Sequence, residues 1–560
     1  MQTYNVLPSP RLQSLFDTEV LVKLLATVLV VLIYSALLAP MANGQQGPST
    51  ATDSVPTFRA QTRVVLVDVI VTDSKDQFVP ALKVEDFTVQ EDHKAQKISG
   101  FNVFRYEAPK SLPPMQLPPN QYTNFTQQAP GGAVTILMLD TLNTERLEQA
   151  YARKAMAQLL RRLPPGQRVG LFILSDKPHL VQGFTSSSDA LIAASKALSP
   201  DLSVVTPQAN PANQLSAPTV NDRVQESTNV NATFSLNQGL GTTYADMTSD
   251  IRFKLTIATL NALARSVSGF SGRKNLLWLS GHFPLRLDAE YINNNRAGFG
   301  GHYSADVQET AALLAAAQIA VYPVDVKGLG VAADTFAEED LARETGGKAF
   351  YGSNAIDDAL LHGLQQGSDY YTLAYSPENR KWDGRYRKIE VKLAQKGYKL
   401  TFRRGYYANE EKPFTGDEAA RALASAIQPL VPVSTMLLVK AQVLLPDNEH
   451  KAVRIDYAVD SHDISFADTA DQKKHAAVDF MSVAWDRDFK SAGYSTDTME
   501  ADFLPAVYKQ IMQTGFPAHQ ELTLKPGTYT LRLGVIDRGS QKIGTVDVPI
   551  TIKPTEAAKN

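Results

Sequence analysis

Residues 136–144 read ILMLDTLNT: four apolar residues run into Asp140, and Thr141, Asn143 and Thr144 follow at once. A carboxylate, two hydroxyls and an amide at the end of an apolar run all carry oxygen, the ligand atom that a hard cation such as Mg²⁺ prefers. The same residues can instead cap a following helix, with the carboxylate accepting from its free backbone N–H groups. A third chemistry is acid–base catalysis, with His282 of LSGHF as the partner of Asp140. The sequence leaves these three open.

Other patterns are weaker. Gly328-Leu329-Gly330-Val331-Ala332-Ala333 fits the G-x-G-x-x-A dinucleotide pattern. It comes late in the chain, without a first βαβ unit before it, and reads better as a strand-to-helix turn. The nine histidines form no HExxH motif and no close pair. No G-x-S-x-G elbow or phosphate loop occurs. Arg403-Arg404 with Tyr406-Tyr407 reads as a hairpin with one packed and one solvated face.

Strands and helices must alternate to bring Asp140 and His282 to one place. From residue 133 they do. AVTILML is a continuous apolar strand, as in a sheet covered on both sides. Leu147, Tyr151, Ala155, Leu159 and Leu163 then recur every four residues and predict an amphipathic helix, stopped by Pro164-Pro165-Gly166. Further strands are predicted at 168–176, 179–185, 275–281, 318–326 and 344–352, with helices at 186–198, 250–267, 306–317 and 354–367. Residues 200–247 are rich in Asn, Gln, Ser, Thr and Pro and read as a polar surface insertion. The segment 370–408 adds antiparallel strands, the last two as a hairpin about Gln395-Lys396-Gly397.

On either side the pattern is β. A small module over 58–106 precedes a linker or extended strap, 107–132, with six prolines. After a helix at 416–427, residues 430–555 read as a β-sandwich interrupted by a helix at 501–512. The expected fold class is therefore α/β, a doubly wound and mainly parallel sheet over 133–410, flanked by an N-terminal small β-module and a C-terminal β-sandwich.

A chain of 560 residues exceeds one core. Its net charge of −3 offers no bulk attraction for nucleic acid. With no cysteine, disulfides, thiolate metal sites and cysteine nucleophiles are excluded. An apolar run of about 15 residues follows Lys23, the length of a signal-peptide core, with Ala42-Asn43-Gly44 as a small-residue cleavage site. Residues 1–44 are therefore read as a signal peptide or N-terminal anchor. The rest of the chain is expected to be exported, as a periplasmic, envelope or secreted protein, with membrane contact only through this segment.

The segments ILMLDTLNT, RVGLFILSD, GRKNLLWLSGHFP, IAVYPVDVKGL, LARETGGKAF and DYYTLAYSPENRKWDGRYRKIEVKL together resemble a von Willebrand factor type A domain. The likeness is nearest to the von Willebrand factor A-related family of acidobacterial exported proteins, whose preceding module resembles VDVIVTDSKDQFVPALKVEDFTVQEDHKAQKISGF. It covers about 58 to 408. The resemblance implies a metal-ion-dependent adhesion site at the strand ends, in which Mg²⁺ is bound by Asp-x-Ser-x-Ser, a loop threonine and a second aspartate. Asp140 and Thr144 fall on two of these positions, and Thr242 or Thr243 on the loop position, with Thr243 taken as the ligand. Leu142 stands where the first serine belongs and Ser280 where the second aspartate belongs. The implied site is incomplete, holding Mg²⁺ weakly at most, and no other cofactor is implied. Asn143, Ser280 and His282 are the candidate ligand-binding residues of the same face. The expected function is non-enzymatic protein binding or adhesion. A hydrolase using the same face and a structural envelope component are the alternatives.

Overall fold

The computed structural model describes residues 63–106, 117–125, 133–175, 178–196, 250–270, 272–284, 304–327, 336–352, 355–410 and 412–554. The N-terminal segment, the whole insertion at 200–247 with Thr242 and Thr243, and the G-x-G-x-x-A turn lie outside them.

The chain begins with β1 (Val65–Thr72), β2 (Phe87–Glu91), β3 (Lys94–Gln96) and β4 (Ile98–Phe104). A short strand, β5 (Gln121–Thr123), lies within the proline-rich stretch. The α/β part follows: β6 (Val134–Asp140), α1 (Arg146–Arg161), β7 (Val169–Leu174), β8 (Pro178–Thr185), α2 (Ser188–Lys196) and α3 (250–267). It continues with β9 (Lys274–Ser280), α4 (Ser304–Ala316), β10 (Ile319–Asp325), α5 (Phe336–Thr345) and α6 (Ile356–Gln366). The sheet order is β10-β9-β6-β7-β8. All pairs are parallel except β7 with the edge strand β8.

Every residue of β6, β7, β9 and β10 is buried. Strand alternation sends Ile136, Met138, Leu276 and Trp278 to the side of α3 and α4. Leu137, Leu139, Leu277 and Leu279 face α1 and α6. Two covered faces explain why the middle of each of these strands is apolar.

In α1 the buried residues are Gln149, Ala152, Ala155, Met156, Leu159 and Leu160. Leu147 and Tyr151, expected on the packed face, are 70% and 57% exposed. A four-residue step advances about 400° around a helix, so a row of such steps drifts by about 40° each time and leaves the packed stripe.

The segment expected to close the α/β domain belongs elsewhere. It forms β11 (Tyr370–Tyr375), β12 (Tyr386–Leu393), β13 (Lys399–Phe402) and β14 (Gly405–Tyr407). The sheets β13-β1-β11-β4 and β14-β12-β2-β3 join the segments that precede and follow the α/β part. The α/β boundary at 410 is thus too late, and the β-module is built from two separated segments. The reason is apolar: Phe87, Phe101 and Tyr371 meet at centroid distances of 5.2–5.8 Å, a core that neither segment makes alone. β12 and β13 are not a hairpin pair, because β13 pairs with β1 while β12 pairs with β2 and β14. Both Tyr406 and Tyr407 are buried, and Tyr406 donates to Glu91 at 2.9 Å beside a buried Arg387–Glu91 ion pair at 3.2 Å.

The C-terminal part holds α7 (Gly416–Ala426), β15 (Val439–Leu444), β16 (Val453–Val459), β17 (Ala467–Asp468), β18 (Lys474–Trp485) and β19 (Ser491–Phe503). It ends with α8 (Pro505–Thr514), β20 (Phe516–Leu522), β21 (Gly527–Asp537) and β22 (Ile543–Ile552). One sheet runs β20-β16-β15-β5; the other runs β17-β18-β21-β22, with β19 on β18. They share one apolar core. α8 starts at Pro505 rather than 501, since proline suits the first helical position and β18 pairs the chain as far as Phe503.

Of the linker or extended strap expected over 107–132, residues 121–124 form a strap. Gln121–Thr123 pair with β15, and the buried Asn124 donates to Ser434 O at 2.9 Å and Leu437 O at 2.7 Å. No helix among the described residues is long and apolar enough to cross a membrane.

Candidate functional site

β6 and β9 are adjacent and parallel, so their carboxyl ends bring Asp140 and Ser280 together. Trp278 lies two residues before Ser280 and points to the same side of the sheet. Asp140 is 0% exposed. Its Oδ1 accepts from the backbone N–H of Leu142 at 3.1 Å and of Asn143 at 2.8 Å. Its Oδ2 faces Asn143 Nδ2 at 2.9 Å, Trp278 Nε1 at 3.0 Å and Ser280 Oγ at 2.8 Å. Five donor groups thus surround one carboxylate. Burial pushes its pKa up to about 6, against the opposing pull of the Asn143, Ser280 and Trp278 hydrogen bonds.

The other candidates extend this knot. Asn143 Nδ2 also reaches Thr256 Oγ1 of α3 at 3.2 Å, tying the turn to the helix. Thr144 Oγ1 accepts from Gly281 N at 2.9 Å. Ser280 Oγ lies 2.7 Å from the His282 carbonyl as well, with one proton for its two acceptors, and accepts from His282 N at 3.2 Å. Gln149 of α1 donates to the carbonyls of Thr141 at 3.2 Å and Thr144 at 2.8 Å. The turn 141–144 is therefore held from α1, α3 and β9 at once. Asp140 caps that turn and not α1, whose first residue is Arg146; there Glu145 N donates to Glu148 Oε2 at 3.3 Å.

Asp140, Asn143, Thr144, Ser280 and His282 are brought together, while Thr243 lies outside the described residues. Of the five only His282 is exposed. The donor set does not fit Mg²⁺. Both oxygens of the one carboxylate already face N–H and O–H groups, Leu142 supplies no ligand atom, and the Thr144 oxygen holds a backbone N–H. The remaining buried oxygen without a hydrogen bond, Asn143 Oδ1, is neutral, and Mg²⁺ sheds its waters too reluctantly for one such group.

Sequence reasoning missed Trp278 and Gln149. The period-2 alternation that pairs Trp278 with Ser280 on one side was the available signal for the first; nothing marked the second. It also missed a cleft of about 470 Å³ at the end of β10, lined by Asp325, Phe350, Tyr351, Asp358 and His362 among others. Burial lowers the His362 pKa there, with a smaller push from Lys348.

No family profile and no curated protein matches the chain. Solved structures similar to it include an aerotolerance-related membrane protein from Bacteroides fragilis, at 13% identity over 42% of this chain and 100% of that one, TM-score 0.23. A von Willebrand factor type A protein from Catenulispora acidiphila gives 9% identity over 66% and 82%, TM-score 0.23. The N-terminal domains of a type V pili tip protein from Porphyromonas gingivalis give 10% identity over 81% and 96%, TM-score 0.23. Overlaps this loose assign nothing to the present chain, whose mixed α/β architecture stands on its own strand order.

Proposed function

We propose that this is an exported, non-enzymatic binding or adhesion protein, with a type A-like domain that engages another protein at its strand-end face without a bound metal. The observation that carries the reading is the contrast between floor and rim. The floor is closed, with Asp140 wholly buried and surrounded by five donor groups. On α1, which begins beside that floor, Leu147 and Tyr151 stand exposed one turn apart. Exposed aromatic and aliphatic side chains on a rigid element are the usual anchors of a protein interface. An acid–base pair of Asp140 with His282 is disfavoured, because a sealed carboxylate does not reach a substrate.

A photo-crosslinking residue at position 151, expressed in the native cells, tests this. The expected result is a protein adduct at 151 that persists in EDTA, with none at the remote exposed Thr528. Adducts that vanish in EDTA, or that form equally at 528, would count against the reading.

A further inference from the structure

β19 is the outermost strand of its sheet and runs for 13 residues, a rise of roughly 43 Å. β18 pairs with it along one side. Among the described residues, no backbone hydrogen bond reaches its other side. Natural edge strands are usually shielded by proline, lysine or shortness. β19, SAGYSTDTMEADF, has neither proline nor lysine and is long; its protection is one inward carboxylate, Asp497, held by Gln520 at 2.8 Å, and one register irregularity at its start, near Ser491. Its outward face shows Tyr494, 70% exposed, then Thr496, Thr498, Glu500 and Asp502. On the inward face Met499 and Phe503 are only partly buried against the core.

We propose that β19 is a self-association edge, pairing antiparallel with β19 of a second copy of this chain. Charge placement along the strand favours this pairing. All three acidic residues, Asp497, Glu500 and Asp502, lie from the middle of the strand onward, and residues 491–496 are uncharged. An antiparallel self-pair therefore sets the acidic half of each strand against the neutral half of the other. With the two-fold axis through Thr498, each sheet face continues across the junction. Tyr494 then faces Asp502 of the second copy and Thr496 faces Glu500. Sliding the axis to Asp497 would instead put two carboxylates directly opposite, which is unfavourable. The local charge is already reduced at Glu500, which pairs with Arg538 at 3.0 Å, and the Asp502 carboxylate is held by His475 Nδ1 at 2.8 Å. The added strand would complete the ladder and cover Met499 and Phe503.

Sedimentation velocity of the purified full chain over a range of concentrations tests the proposal. A monomer–dimer equilibrium is expected. Thr496→Glu places like charges opposite each other twice per dimer and should weaken association about tenfold, whereas Thr496→Lys should strengthen it about tenfold. Thr528→Glu and Thr528→Lys carry the same charge changes on the exposed part of β21 and should shift it less than about twofold, which separates register from net charge. A chain that stays monomeric at every concentration, or Thr496 variants that shift no more than their Thr528 counterparts, would overturn the proposal.

Discussion

At the scale of single residues, Asp140 organises the strand ends as an acceptor. Removing it strands buried donors from Leu142, Asn143, Trp278 and Ser280. Asp140→Ala should therefore cost about 3–5 kcal/mol, read by chemical denaturation. Its titration gives a second expectation. The folded pKa, about 6, lies above the ordinary 3.8, so the native state holds this proton more tightly than the unfolded chain. The contribution is then most favourable below about pH 4, declines as pH rises through 6 and is flat above, by roughly 3 kcal/mol in all. The difference in stability between the parent and Asp140→Asn should follow that curve; a difference independent of pH would contradict it. Restoring the family-like ligands through Leu142→Ser and Ser280→Asp sets a second buried carboxylate against the first. That variant should be less stable than the parent without Mg²⁺ and gain thermal stability on adding it.

At the scale of elements, the helix over 250–267 and the central strands were legible, whereas 344–352, expected as a strand, holds the end of α5 and a single bridge at Phe350. β7 and β10 are apolar at nearly every position, β6 and β9 over Ile136–Leu139 and Leu276–Leu279, and a continuous run needs no phase to be recognised. α1 needed a phase, and a four-residue row put Leu147 and Tyr151 on the wrong side. The candidate site was legible as a cluster, since strand ends gather Asp140 and Ser280 whatever their chemistry. Its closure was not legible, because it depends on Trp278, Gln149 and Thr256, which reach it from separate elements. Leu147→Ser with Tyr151→Ser should change stability by no more than about 0.5 kcal/mol, as expected for exposed positions. A loss above about 2 kcal/mol would show that the pair is packed after all.

At the scale of the whole molecule, the parts are stitched rather than strung. Gly269 N donates to Thr435 Oγ1 at 3.0 Å, and that hydroxyl donates to Ser266 O at 2.8 Å, linking α3 to the entry of the sandwich. A Cβ at Gly269 would lie 2.4 Å from the Thr435 carbonyl oxygen, so only glycine fits. The β5 strap adds a second seam through Asn124. None of this was visible in local periodicity, because each seam joins residues more than 100 positions apart. Asn124→Ala removes hydrogen bonds to Ser434 O, Leu437 O and Val439 N. It should loosen the strap by about 2–3 kcal/mol, seen as faster hydrogen exchange at 121–125 and along β15, with β6 and β9 unchanged.

The central claim is that the strand-end floor is closed by the protein's own donors. Isothermal titration of Mg²⁺ into the unmodified chain tests it most directly. The account predicts no saturable heat up to millimolar Mg²⁺, and no change on replacing Asp140 with alanine beyond the loss of stability. A saturable Mg²⁺ site in the parent that disappears in Asp140→Ala would contradict it.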